Sequence, residues 1–129
     1  MKLIPHDPLQ DIYPIGPEYV HTTEVVAASR LLIVSGTMGL DPVGKAAKTI
    51  DEQLRLIWRN ISVIPRDADV SEEKIVQISS YLSDPAFSNV NAMYRMDTMK
   101  RRAVAMTTLV TGLLEANWLV EIEVLAAGD

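Results

Sequence analysis

The chain has 129 residues, 48% of them hydrophobic and 22% charged, with 17 acidic against 12 basic side chains for a net charge of −5, and no cysteine. This excludes disulfides, thiolate nucleophiles and cysteine-based metal sites, and the sign of the charge disfavours a general attraction to nucleic acid. The apolar runs fall far short of the roughly 20 residues that a membrane helix needs, no export signal follows Met1, and the length suits one domain with a sizeable core, so a cytoplasmic protein without a membrane partner is expected.

Residues 1–18 hold four of the seven prolines together with Gly16 and show no sustained period, which predicts an extended arm leading into a single domain that spans 1–129. The two histidines, His6 and His21, have no cluster of ligands around them and read as solvated or hydrogen-bonded rather than metal-binding. Thr22–Ala28 and Leu31–Ser35 look like a first hairpin turning at Ser29-Arg30. Gly36 and Gly39 with Pro42 then make a loop whose backbone can approach a ligand closely or can simply turn.

From Asp51 to Ile64, Leu54, Ile57, Trp58, Ile61 and Ile64 recur at helical spacing. Thr49 and Glu52 form a capping box, Pro65 ends the helix, and Trp58 belongs to the core. A strand follows at Ile75–Leu82, and Asp84-Pro85 opens a second helix with Phe87, Val90 and Tyr94 on its apolar face. Asn91 sits at the edge of that face, where an amide needs either a loop partner or a ligand.

The last stretch, Arg101–Ala127, reads as two strands, Ala103–Val110 and Trp118–Leu125. Period-two alternation places Trp118, Val120, Ile122 and Val124 on one face, and Leu119, Glu121, Glu123 and Leu125 on the other. Two carboxylates thus project from an otherwise apolar face, with Arg101, at the mouth of the preceding strand, the candidate cation. The element order suggests an α+β fold with two hairpins, both helices on one face of a mixed, mostly antiparallel sheet, and a partner subunit over the other face.

The chain resembles the RidA (YjgF) family of reactive-intermediate deaminases over about residues 14–127. The matching stretches are Ile15-Gly16-Pro17 with Tyr19, Leu32-Ile33-Val34-Ser35-Gly36 with Leu40-Asp41-Pro42, Gln53, Val90-Asn91 with Tyr94, Arg101 with Val104, and Val120-Glu121-Ile122-Glu123. The resemblance implies a chorismate-mutase-like (YjgF-like) fold and a homotrimer with sites between subunits. It also implies a small anionic substrate whose carboxylate Arg101 holds while Glu121 positions water. Tyr19, Ser35, Gly36, Asn91 and Ala103 would line the pocket, with Glu123 structural. The chain departs from the family around that pocket. Met99-Lys100-Arg101-Arg102 replaces the usual Pro-x-Arg-Ser, the connection from Asn91 to Arg101 is shorter, Ala103 replaces a cysteine, Leu109–Trp118 is longer and lacks the usual proline, and Glu18 is inserted before Tyr19.

Hydrolysis of an imine needs a guanidinium to orient the substrate carboxylate and a carboxylate to align and deprotonate water, and requires no covalent nucleophile, metal or cofactor. An enamine/imine deaminase is therefore the leading expectation. A non-catalytic trimeric metabolite-binding protein, or a diverged hydrolase or lyase of the same fold, remains as the alternative.

Overall fold

The computed structural model describes all residues, 1–129. Six strands and two helices follow one another as β1 (Lys2–His6), β2 (Thr22–Val26), β3 (Arg30–Met38), α1 (Ile50–Val63), β4 (Ile75–Leu82), α2 (Ser88–Thr98), β5 (Ala105–Val110) and β6 (Val120–Gly128). No helix is long and apolar enough to cross a membrane.

Helix α1 starts where its sequence says it should, since the Thr49 hydroxyl accepts from the Glu52 N–H at 3.2 Å. Its stripe of Leu54, Ile57, Trp58 and Ile61 is buried. Asp84 caps a short 3₁₀ turn, Pro85–Phe87, which leads into α2. Both helices pack on the face of the sheet made by Val34, Ile78, Leu82, Val120, Ile122, Val124 and Ala126, and Phe87 from the 3₁₀ turn with Val90 and Tyr94 from α2 join that core. The alternation read along β6 holds, with Val120, Ile122 and Val124 buried and Glu121, Glu123 and Leu125 half-buried on the opposite face.

The pairings differ from the two expected hairpins. The main sheet has the order β3-β6-β4-β5, while β1 and β2 form a separate antiparallel ribbon. Thus β2 pairs with the N-terminal arm, from Lys2↔Val26 to His6↔Thr22, and not with β3. Ser29-Arg30 offers no residue suited to the positive φ that tight hairpins demand. The left-handed residue here is Ala27, and Ser29 N–H donates instead to Gly128 O at 3.0 Å.

The last two strands are not neighbours either. β5 runs parallel to β4, and β6 lies antiparallel between β3 and β4. The connection between β5 and β6 therefore crosses the end of β4, where Thr111 N–H donates to Leu82 O and Ser83 N–H to Leu119 O. A buried amide holds it down. Gln53 Nε2 donates to Ala47 O and Asn117 O, both at 2.8 Å, and its Oε1 accepts from Leu119 N–H at 2.9 Å.

Candidate active site

Between Val34↔Val124 and Thr37↔Ile122 strand β3 carries one more residue than β6, a bulge at Ser35-Gly36. The bulge makes room for Glu121. A Cβ on Gly36 would lie 2.8 Å from both Cδ and Oε2 of Glu121, so the carboxylate rests over the glycine backbone. Ser35 and Gly36 line a cavity of about 690 Å³ at the free edge of β3, closed by Asn60, Val63 and Asp67 on the other side.

On the same face as Glu121, Tyr81 donates its O–H to Glu123 Oε1 at 2.5 Å, and the backbone register sets Tyr81 beside Glu121 and Ser79 beside Glu123. That hydrogen bond, then burial and the negative charges of Glu123 and Glu121, push the Tyr81 phenol above its ordinary range, with Ser79 acting in the opposite sense. Tyr81 thus stays a neutral donor that holds Glu123 in place. Period-two alternation of Gln77, Ser79 and Tyr81 in β4 was the available signal for this polar row.

Arg101 is not the partner of either carboxylate. It is exposed and sits with Lys100 in a left-handed turn, at φ +60° and +51°, before β5 begins. β5 starts opposite Gln77, whereas Glu121 lies opposite Tyr81. Four residues of strand, about 13 Å, and the width of β4 therefore separate the start of β5 from Glu121. Arg101, earlier still in the chain, cannot meet Glu121 within one copy.

The other expected residues divide between the same two places. Tyr19 and Ala103 line a cavity of about 550 Å³ with His21 and Pro14, and Val20 N–H donates to Val104 O at 3.3 Å, which seats the arm beside the start of β5. Tyr19 thus shares the Arg101 end of the sheet, while Ser35 and Gly36 share the Glu121 end. Asn91 is 1% exposed in α2, and its Oδ1 has no partner. The histidines are hydrogen-bonded, His6 to Glu24 at 2.6 Å and His21 to Tyr13 O at 3.1 Å. Of the two adjacent arginines, Arg102 is committed to the backbone, donating to Ile75 O at 2.7 Å and Glu72 O at 3.2 Å. This leaves Arg101 as the free guanidinium of the pair.

One functional-looking residue escaped the sequence reading. Arg95, four residues after Asn91 on the same face of α2, is buried at 4% exposure. A polar pair at i, i+4 on a face already judged apolar was the signal for it.

A mixed four-stranded sheet with two crossover helices on one face and a glycine bulge under a β6 carboxylate defines an α+β protein of the YjgF-like fold. The chain belongs to the RidA (YjgF) family: the family model described as Endoribonuclease L-PSP matches residues 10–128. A RutC family protein of Aquifex aeolicus is 31% identical over 117 residues, 88% of this chain and 90% of the relative. Among solved structures, the Rid family protein YyfB of Yersinia pestis, of unknown function, superposes with a TM-score of 0.84 at 19% identity over 98% of this chain and 99% of its own. YyfA of the same organism, also of unknown function, gives 0.71 at 26% identity over 88% and 90%.

Proposed function

We propose that the protein is an enamine/imine deaminase that hydrolyses a small carboxylate-bearing imine, with each active site assembled from two copies of the chain in a homotrimer. The observation that carries this reading is the separation of the expected residues into two half-sites, Tyr19, Arg101 and Ala103 at one end of the sheet and Ser35, Gly36 and Glu121 at the other. A heterologous ring, in which one surface of each copy meets a different surface of the next, joins such halves at every interface.

In that site the exposed Arg101 takes the substrate carboxylate bidentately and presents the C=N carbon. Glu121 aligns a water and accepts its proton as the oxygen bonds to that carbon and the C=N π electrons move to nitrogen. It passes that proton to nitrogen to give the carbinolamine, and then carries the remaining hydroxyl proton to nitrogen as C=O forms and the C–N bond breaks. The products are the keto acid and ammonia. Gly36 supports this by letting the carboxylate lie against the bulge. RNA cleavage, which the family model's description suggests, is the weaker reading. The net charge is −5, and Lys100-Arg101-Arg102 is the lone basic cluster, with Arg102 already bound to carbonyls.

The test is release of ammonia from an imine generated in situ. Arg101→Ala and Glu121→Gln should each abolish acceleration. Mixing the two inactive variants after dissociation and reassembly should restore about a quarter of the wild-type activity, the fraction of interfaces in a random ring that combine both intact residues. Full activity in either single variant defeats the residue assignment, and failure of the mixture to recover defeats the shared site.

A further inference from the structure

Arg95 is the one charged residue among the buried residues of the fold. Its side chain is 5% exposed, its guanidinium makes no hydrogen bond, and its single ionic neighbour is Glu18, with Nη2 and Oε2 3.8 Å apart. That separation exceeds the roughly 2.8 Å of a charge-assisted hydrogen bond, so Glu18 compensates the charge at a distance without accepting from the guanidinium. Burial lowers its pKa and the Glu18 charge raises it, which is the signature of a cation held with incomplete compensation.

The guanidinium lines a recess walled by Ile78, Met99, Val104 and Met106, with Arg101 and Glu18 also on its lining. The space left is about 10 Å³, room for one water at most. Glu18 limits it and is itself 55% exposed, on the arm rather than on the packed core. Swinging that side chain out into solvent would open the recess without moving either helix. Three cations, of which Arg102 is already bound to backbone carbonyls, and apolar walls would then face a small opening, where electrostatic attraction is stronger than in water.

We infer that Arg95 is the anchor of an oxyanion-binding recess, in which the Glu18 carboxylate is an internal occupant that a small carboxylate or phosphate displaces. The class of ligand follows from the guanidinium, whose planar donors match two oxygens of one acidic group. Glu18 then acts as a competitive gate, lowering the affinity for external anions and rejecting ligands without an acidic group. Arg101 belongs to both this recess and the proposed imine site, but Arg95 and Glu18 take no part in the hydrolysis, so unreactive anions and variants of these two residues probe the inference separately.

The experiment is isothermal titration calorimetry of the whole protein with malonate and, in a parallel arm, with inorganic phosphate, both at constant low ionic strength. Glu18→Gln removes the occupant's charge and should tighten binding about three- to tenfold, the range that loss of one partly exposed ion pair allows. Arg95→Gln, checked for folding by circular dichroism, should weaken binding by at least that factor and abolish the gain from Glu18→Gln. Tighter malonate binding identifies a carboxylate source, and tighter phosphate binding a phosphate source. Unchanged or weaker binding of both anions by Glu18→Gln overturns the inference. So does a Glu18→Gln variant that only melts earlier, which would make the pair a structural pin between arm and helix. The Glu18 comparison decides the matter even where Arg95→Gln does not fold.

Discussion

At Gly36 a single hydrogen atom determines where a carboxylate lies. A Cβ there would meet the Glu121 carboxylate at 2.8 Å, and that is the end of a flexible side chain, so Gly36→Ala should turn Glu121 aside and leave the fold intact. The expected result is loss of imine hydrolysis by about 10²-fold or more, the usual worth of a placed general base, with little change in melting temperature. Gly39→Ala is the contrast, because its Cβ would fall 2.5 Å from the Cα of Gln53, backbone that cannot turn aside. That variant should melt markedly lower. Wild-type activity in Gly36→Ala would show that the observed Glu121 position is irrelevant to rate. Tyr81 gives a second residue-scale expectation. Its folded pKa lies above the unfolded value, so the bond to Glu123 contributes fully below about pH 10 and is lost as pH rises through the folded pKa. In an ultraviolet phenolate titration Tyr81 should ionise above the ordinary tyrosine range, and Tyr81→Phe should remove that late component. An unchanged late component in the variant assigns it elsewhere.

Among the elements, those defined by local periodicity were the legible ones. β4 begins and ends at the residues the pattern indicated, α1 is displaced by one residue, and the inward and outward faces of β6 came directly from alternation. Strand pairing was not legible, because it depends on contacts between distant parts of the chain. β6 enters between β3 and β4, and nothing local to Trp118–Leu125 records that it passes over β4 to do so. Gln53 makes the crossing possible, since it ties the start of α1 to Ala47, Asn117 and Leu119 together. The family match singled out Gln53, yet only the crossing explains a buried amide in an otherwise apolar stripe. Gln53→Leu keeps the volume and strands one amide N–H and two carbonyls, which should cost about 3 kcal/mol. Urea unfolding measures this directly, and a loss below about 1 kcal/mol would mean that water replaces the side chain in the crossing.

At the scale of the whole molecule, the helices cover one face of the sheet and leave the other to Glu121, Glu123, Tyr81 and the row of Leu31, Ile33 and Leu109, which are 61%, 76% and 50% exposed. The sequence supplied candidate site residues, but not their distribution over the sheet. Arg101 and Glu121 are close in the chain and share a motif pattern, yet the insertion of β4 between β5 and β6 sends them to opposite ends of the sheet. Under the proposed function the same topology would link assembly to activity, because a lone copy holds Arg101 and Glu121 apart and leaves an apolar face uncovered. Such a face is an association surface, and the proposed trimer would bury it while closing the sites. Ile33 is the position at which to separate folding from assembly, since its exposure means that a charge there costs the isolated chain little. The wild-type protein should run in solution at three times its 14.3 kDa chain mass by multi-angle light scattering. Ile33→Glu should shift the mass toward that of one chain, keep the circular dichroism spectrum of the wild type, and lose imine hydrolysis in the same step. A monomeric variant that retains full activity would place a complete site within one copy, against the separation of Arg101 from Glu121. A variant that stays trimeric would move the interface away from the β3 side of the sheet.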